Sequence, residues 1–466
     1  MEPTSKGFSC TAILYIMTTV GFGVNYMLRV NLSIAVVEMI RGNNTNQKDT
    51  RFNWDSVQKN EILGIFLLGY VTTLLWGGRL AEIYGTRLVF GNGMLWASLA
   101  TIIFPWICKI HFYAALVLRL ITGAVLGVTF PSILPIAVNW IPPLDRSKFT
   151  SNMMAQSLGV AITLPLCGFI LSHFGWEGVF YATGLVGVLW SLLWFYSVYD
   201  SPQEHPRISA KEKRDIEQTK KLQNESTQRK PRKVPWRSIF TSIPVWCVFI
   251  VQISNSLYHF TFSNVLPTYM NDVLHFDLEQ NGLLSSLPYI GQYAFAVLCC
   301  CLADKMRKSK KISTGNTRKI FIAVSMYLPS ALMLALGYYK CNPYVAVVLI
   351  TLMHSFKGAV PAGYISNIMD LAPNYSGTIF GVSLMMGSFT GWLGTKMVGL
   401  LTKEASNFET WRTVFLIIAL VNCTGTVFYM FFGSGDVQPW NDHTCKRVVE
   451  ETELETLSDQ KNGNVP

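Results

Sequence analysis

Positively charged side chains interrupt segments that are otherwise apolar and long enough to cross a membrane. They are Arg29, Arg119, Lys357, Lys396 and, at the edge of a segment, Arg412. A charge inside a bilayer is costly and usually faces a partner or an aqueous path. No Asp or Glu lies clearly at the middle of the same segments. Cations without carboxylate partners predict an anion pathway, because a bound anion supplies the missing negative charge.

Two arginines are the first candidates for direct contact with such an anion. Arg29 and Arg119 each offer a planar fork of donors that matches a carboxylate or a phosphate. The alternative is that their charged ends reach the membrane interface or bond to backbone carbonyls. Lys357 is a further candidate for substrate contact. Lys396 is a weaker one, because a lysine side chain can extend to an interface.

A polar cluster in a later apolar segment is the second place where an anion could bind. Asn255, Tyr258 and His259 lie together on the predicted seventh span. They can hydrogen-bond an anion, and a histidine can also carry a proton. The alternative is a core histidine whose hydrogen bonds are satisfied inside the protein. His354 is a weaker candidate of the same kind.

Apolar helices must position these side chains within a membrane. Half of the 466 residues are hydrophobic and only 14% are charged, which leaves too little polar surface for a water-soluble protein. A bilayer core requires about 20 apolar residues per helix. The sequence therefore predicts an all-α membrane protein with about 12 spans in two bundles of six. The spans are expected near residues 10–36, 60–80, 87–107, 111–138, 149–172, 177–199, 239–265, 280–302, 318–338, 343–368, 376–401 and 411–433.

A long polar insertion divides the two sets of spans. We expect an N-terminal bundle at 1–199, a basic linker at 200–238, a C-terminal bundle at 239–433 and a polar tail at 434–466. The linker carries eleven Lys and Arg residues, which fits a cytoplasmic segment and also fits binding to lipid headgroups. The basic residues avoid the spans, so the net charge of +10 does not indicate a nucleic-acid partner.

The distribution of basic residues predicts the orientation of the chain. With both termini in the cytoplasm, 26 of the 38 Lys and Arg residues fall on the cytoplasmic side and seven fall in outer loops. This bias is typical of the positive-inside rule. Asn43 then lies in the first outer loop, within a sequon where it can be glycosylated.

Two related loops predict a gate. The run at 77–87, which contains Glu82 and Arg87, resembles the loop signature of the major facilitator superfamily. A similar Leu-Ala-acid sequence ends at Asp304, with Arg307 nearby. An acid and a base at the cytoplasmic ends of helices can form a pair that exists in only one access state. The alternative is an ordinary basic loop.

Sequence motifs of soluble enzymes are absent from the chain. There is no glycine-rich nucleotide loop after a strand, no His-Glu-x-x-His and no nucleophile elbow. The ten cysteines show no zinc-binding spacing. We therefore expect no enzyme, no ATP-driven pump, no resident metal and no cofactor.

Several motifs resemble solute carrier family 17, which includes sodium/phosphate cotransporters, sialin and vesicular glutamate transporters. The resemblance covers nearly the whole chain. It is carried by residues 26–35, 69–70, 127–131, 140–147, 266–270 and 431–440.

This resemblance implies a major facilitator fold and alternating access. It also implies transport of phosphate or organic anions, driven by sodium, protons or membrane potential. Arg29 and Arg119 match family arginines of the first and fourth spans. Leu126 stands where many relatives have glutamate, and leucine carries no proton. Sodium or the membrane potential is therefore expected as the driving force over protons.

Together these observations predict a secondary transporter of small anions, inorganic phosphate or organic, working as a sodium-coupled symporter by alternating access. A transport-deficient scaffold or sensor and an anion channel are the alternatives. The plasma membrane and an endolysosomal or vesicular membrane both fit. The partners expected are a small anion and the lipid bilayer.

Overall fold

The computed structural model describes residues 9–41, 52, 54, 56–222, 234–272, 287–338, 342–401 and 408–441. Within these ranges the regular structure is entirely helical. This confirms the predicted all-α class.

The first half of the chain forms long apolar helices joined by short turns. A 3-10 turn at Pro143–Asp145 begins with the proline pair that ends α5, and a second one at Ser151–Met154 leads into α7. The helices are α1 (Cys10–Arg41), α2 (Ser56–Tyr84), α3 (Thr86–Ile110), α4 (Phe112–Gly127), α5 (Thr129–Trp140), α6 (Arg146–Thr150) and α7 (Ala155–Ser197).

Two short helices come between the long apolar helices of the first half and those of the second half. The linker contributes these two helices, and the second half begins at α10. The helices are α8 (Ala210–Leu222), α9 (Trp236–Thr241), α10 (Ile243–Asp272), α11 (Leu287–Lys308), α12 (Thr314–Tyr338), α13 (Pro343–Lys357), α14 (Ser366–Leu371), α15 (Ser376–Leu401) and α16 (Phe408–Phe432).

Ten stretches of the described residues are long and apolar enough to cross a membrane. One of them, Pro143–Ser197, has 55 residues and bends at Gly175, where φ is 73°. It therefore has the length of the fifth and sixth expected spans together. Helix α15, with 26 residues, occupies the position of the eleventh expected span.

The fourth and tenth spans are both interrupted at a similar level. Helix α4 ends at Gly127 and α5 begins after a single turn residue. Helix α13 ends at Lys357, and a π-helical turn at Pro361–Ile365 separates it from α14. Proline removes a backbone donor and is a common cause of such a break. A broken span places helix ends inside the membrane, where they can face a polar cavity.

Close helix packing in the first half depends on glycine. A Cβ atom on Gly69 of α2 would overlap the carbonyl oxygen of Leu120, and one on Gly123 of α4 would overlap that of Phe66. Thr73 adds a hydrogen bond from Oγ1 to the carbonyl oxygen of Ala124, at 2.7 Å. Small residues let membrane helices approach to this distance. Helices α2 and α4 are therefore closely packed against each other.

The linker helix is attached to the start of α1. The Glu212 carboxylate accepts hydrogen bonds from the N–H groups of Cys10 and Thr11, at 3.1 and 2.9 Å, and from the Thr11 hydroxyl at 2.7 Å. Ile216, one turn later, is buried in the main apolar core. A carboxylate at a helix N-terminus satisfies unpaired donors and is favoured by the helix dipole. The described part of the linker is thus an ordered element.

The two halves meet along a few helices. Helices α2 and α5 contact α15, and α7 contacts α11, while most other contacts stay within a half. Gly78 of α2 lies against Gly377 of α15 so closely that a Cβ on Gly78 would overlap the Gly377 carbonyl. A cavity lined by residues of both halves lies between them. These features confirm the predicted fold.

Candidate functional site

The cavity between the halves contains positive charge and no described acid. It encloses about 810 Å³ of atom-free space, including the part continuous with solvent. Arg29 lines it from the first half, and Lys357 and His259 line it from the second. Among the described residues that line it there is no Asp or Glu. The cavity therefore suits a ligand that brings its own negative charge.

Arg29 lies within a cage of aromatic rings. Its guanidinium carbon is 5.1 Å from the ring centre of Tyr26, 5.7 Å from that of Phe66 and 5.5 Å from that of Tyr70. Its Nη1 atom donates to the Tyr26 hydroxyl at 3.4 Å. Ring faces attract a cation without neutralising its charge. Arg29 thus keeps its charge at the wall of the cavity, and its predicted contact with an anion stays a prediction.

Arg119 is not among the residues that line the cavity. Its Nη2 atom donates to the carbonyl oxygen of Arg29 at 2.9 Å, and Nη1 donates to that of Leu28 at 3.5 Å. Only 4% of Arg119 is exposed. The structure thus favours the alternative of bonding to backbone carbonyls over direct substrate contact. Arg119 fixes the α1 backbone at the residue that carries the cavity arginine.

The predicted cluster on α10 does reach the cavity. Asn255, Tyr258 and His259 all line it. Asn255 donates from Nδ2 to the Tyr364 hydroxyl at 3.2 Å, and that hydroxyl donates to Gln252 Oε1 at 2.6 Å. These bonds hold the α10 side chains against the π-helical turn. Sequence reasoning missed Gln252 and Tyr364, although Gln252 lies one helical turn before Asn255 and so shares its face.

Lys357 and His354 lie beside this cluster at the end of α13. Lys357 donates from Nζ to the Met326 sulfur at 3.2 Å, and its Nζ is 4.4 Å from the Tyr258 ring centre. His354 Nδ1 and the Tyr258 hydroxyl share a hydrogen bond of 3.0 Å. His354 does not line the cavity, so it supports Tyr258 from behind.

Glu82 joins the two halves at the end where the linker lies. Its carboxylate accepts hydrogen bonds from the backbone N–H of Thr378 at 2.7 Å and from the Thr378 hydroxyl at 2.6 Å. Arg79 of the same helix lies 3.2 Å away. Thr378 is in the first turn of α15, where a negative charge is favoured. The base beside Glu82 is therefore Arg79, and Arg87 is located elsewhere.

Asp304 makes the corresponding contact from the second half. Its oxygens accept from the backbone N–H groups of Ser147 at 3.2 Å and Lys148 at 2.7 Å, in the first turn of α6. Arg307 bonds to the Pro143 carbonyl oxygen and to Asp370. The contacts of Glu82 and Asp304 across the halves are called the linker-side gate below. In this structure both acids bridge the two halves.

A buried ion cluster that the sequence did not reveal reinforces the gate. Asp370 accepts from Arg318 Nε at 2.8 Å and from Arg307 Nη2 at 3.2 Å. Arg318 also donates to the Ser147 hydroxyl of the first half at 2.6 Å. Arg318 is fully buried, although its position near a basic loop suggests exposure. No sequence pattern distinguishes it from its exposed neighbours.

Arg87 holds the end of α7 in place and does not contact Glu82. Its guanidinium bonds to the carbonyl oxygen of Phe195 and lies 4.2 Å from the ring centre of Tyr199. Its backbone N–H donates to Asp200 at 2.8 Å. Burial raises the pKa of the Asp200 carboxyl above its ordinary value. The predicted gating role of Arg87 therefore has no support in the geometry.

Two predictions fall on parts that the structure leaves undescribed. The glycosylation sequon at Asn43 and the side chain of Lys396 lie outside the described residues. Among the side chains that are described, no group of three or more His, Cys, Asp or Glu could hold a metal ion.

Comparison with known proteins agrees with this architecture. The sequence profile of the Major Facilitator Superfamily matches residues 14–395. The solved structure of a proton:xylose symporter of this superfamily superposes with a TM-score of 0.68 at 15% identity. The match covers 90% of this chain and 95% of the symporter. At this identity the likeness concerns the fold alone.

Similar curated proteins identify a family within this superfamily. Sialin from Homo sapiens is 35% identical over 454 residues, which cover 92% of this chain and 91% of sialin. Vesicular glutamate transporter 2 from Homo sapiens is 32% identical over 447 residues, which cover 94% of this chain and 76% of that protein. The chain therefore belongs to the major facilitator superfamily and, within it, to solute carrier family 17.

Proposed function

We propose that this protein is a secondary transporter that carries small anions across a membrane by alternating access. One observation carries the proposal: Arg29 and Lys357 face the same cavity, and the described residues that line it include no carboxylate. An anion that enters the cavity compensates charge that the protein leaves uncompensated. The names of the relatives, which include glutamate transporters, are consistent with an anionic substrate.

The linker-side gate supports the alternating part of the mechanism. Glu82 and Asp304 each cross from one half to the start of a helix in the other half. These bonds exist only while the halves are close at this end. Opening the cavity to the linker side, which we propose is the cytoplasm, requires that both sets of bonds break.

Coupling to sodium or to the membrane potential is the second part of the proposal. Leu126 is completely buried and apolar, and no described acid lines the cavity that could take up a proton with the substrate. We propose symport of inorganic phosphate or an organic anion with sodium. The plasma membrane and a lysosomal or vesicular membrane are both proposed locations.

Uptake into proteoliposomes tests these statements. Purified full-length protein is reconstituted, and uptake of phosphate, glutamate, urate and sialic acid is measured with and without an inward sodium gradient. We expect saturable uptake of at least one anion, stimulated by sodium and abolished by Arg29→Gln. Accumulation driven by a proton gradient without sodium would refute the coupling. Anion-dependent thermal stabilisation without any uptake would instead indicate a transport-deficient scaffold.

A further inference from the structure

Lys357 occupies an unusual place in the fold. It is the last residue of α13, at the point where the candidate span Pro343–Leu371 is broken near the middle of its length. Only 2% of it is exposed, and it is one of the residues that line the cavity. A lysine so far from either end of its span has no short route to the membrane interface.

The donors of Lys357 are poorly used in this structure. An ammonium group has three donors, and the Met326 sulfur is a weak acceptor. The face of the Tyr258 ring attracts the ammonium group, but it carries no negative charge that could neutralise it. Within the described ranges no carboxylate forms an ion pair with Lys357. The side chain therefore lacks the compensation that a buried charge normally requires.

The end of helix α13 compensates part of this charge. A helix C-terminus carries roughly half a negative charge. The final carbonyl groups, however, already accept bonds from the turn: Ser355 from Gly358, Phe356 from Ala359, and Lys357 itself from Val360. The helix end therefore offsets only part of the ammonium charge.

Arg119 shows what a structural cation looks like in the same protein. It lies in the interrupted fourth span of the first half, as Lys357 lies in the interrupted tenth span of the second. Arg119 directs its donors to two carbonyl oxygens of α1 and does not line the cavity. Lys357 lines the cavity, and its hydrogen bond goes to the thioether sulfur of Met326. The contrast indicates that Lys357 serves a ligand.

Arg29 faces the same cavity from the opposite half. His259, on α10, lines the cavity together with Arg29 and Lys357. Arg29 belongs to α1 and Lys357 to α13, and these helices move with different halves of a transporter of this fold. A ligand between them is attracted by a charge from each half.

We infer that Arg29 and Lys357 form a two-point anion site and that the preferred substrates are divalent anions. This inference rests on the proposed function, since it requires that an anion enters the cavity. A monovalent anion satisfies Arg29 and leaves Lys357 uncompensated. A divalent anion satisfies both charges, and it favours the arrangement in which the halves hold the substrate between them.

Paired anions that differ in one charge test the inference. Binding to the purified full-length protein is measured by calorimetry for succinate and monomethyl succinate, and for inorganic phosphate and dimethyl phosphate. We expect the divalent member of at least one pair to bind about 10-fold more tightly, which corresponds to about 1.4 kcal/mol. Equal affinity within both pairs would overturn the inference.

Substitutions then assign the preference to Lys357. We expect Lys357→Gln to reduce the divalent-to-monovalent ratio to about one, while Lys357→Arg retains it. Lys109→Gln, which removes a half-exposed lysine paired with Glu177, serves as the matched control. An unchanged ratio in Lys357→Gln would contradict the proposed role. If Lys357→Gln does not fold, Lys357→Met provides the same comparison without a buried polar amide.

The outcomes separate this inference from the proposed function. If monovalent and divalent anions bind equally and Arg29→Gln abolishes both, anion binding in the cavity stands and the two-point site fails. If none of the four anions binds to the unmodified protein and none is transported, both proposals fail. A divalent preference that survives Lys357→Gln and disappears in Arg29→Gln would assign the second charge to another group, against our inference.

Discussion

The guanidinium of Arg119 donates a hydrogen bond from Nη2 to the backbone carbonyl oxygen of Arg29, at 2.9 Å. The ring of Phe66 is close to both guanidinium groups, with its centre 5.7 Å from Arg29 and 5.1 Å from Arg119. One cation therefore fixes the backbone that presents the other cation to the cavity. The two arginines therefore have different roles: Arg29 lines the cavity, and Arg119 holds the backbone behind it.

Arg119→Lys tests this positioning role. The substitution keeps the charge and loses the fork that reaches two carbonyl oxygens. Hydrogen bonds that involve a charged group contribute about 1.5–3 kcal/mol, so we expect KM for anion uptake to rise about 10- to 100-fold. Arg412→Lys, at a partly exposed arginine paired with Glu409, is the matched control. An unchanged KM in Arg119→Lys, with normal membrane insertion, would argue against positioning.

Glu82→Gln tests the linker-side gate. The amide keeps one acceptor and loses the charge that favours the start of α15. We expect faster hydrogen exchange in the peptide that contains Thr378, because that N–H donates to Glu82 at 2.7 Å. Glu177→Gln, which removes a surface carboxylate paired with Lys109, should leave this peptide unchanged. Equal exchange in both variants would show that Glu82 does not hold the gate closed.

Gly78→Ala tests the backbone contact beside the gate. A Cβ atom on Gly78 would overlap the carbonyl oxygen of Gly377, so the two halves must separate. Overpacking of this kind costs about 1–3 kcal/mol. We expect a less stable closed gate and a slower transport cycle. Gly64→Ala is the control on the same helix, because a Cβ there meets nothing within 4 Å. Similar transport rates in the two variants would contradict the proposed closure.

Glu212→Gln tests the attachment of the linker to α1. The carboxylate accepts from two backbone N–H groups and a hydroxyl at the start of that helix. Loss of a helix-capping side chain costs about 1 kcal/mol, which predicts roughly 5-fold faster hydrogen exchange at the start of α1. Glu217→Gln alters an exposed acid of the same linker helix that bonds to Gln203. Exchange that rises equally in both variants would exclude a specific cap.

The amino-acid sequence predicts the fold of this protein well, because a membrane places a strong constraint on the composition of each span. A bilayer requires each span to contain about 20 mostly apolar residues, so the spans can be recognised in the sequence as long apolar segments. The same contrast makes Arg29 conspicuous, and the structure places it in the cavity. The cluster of Asn255, Tyr258 and His259 is visible for the same reason.

The direction of a side chain is harder to predict than its depth. Arg119 is as conspicuous in the sequence as Arg29, but its face of α4 points toward α1 and not toward the cavity. Arg318 and Asp370 lie near basic loops and helix ends, where a charge is ordinary. Their burial depends on contacts between the halves, which no local pattern contains.

The burial of the linker-side gate also determines how sensitive its contacts are to salt concentration. Its two acids, Glu82 and Asp304, are buried and accept from backbone N–H groups inside the protein. Dissolved salt screens exposed charges over about 8 Å at physiological ionic strength, but it screens buried interactions much less. Changes in salt concentration on the linker side should therefore leave the closure energy almost constant. The two halves would then remain joined at this end in dilute and in concentrated salt alike.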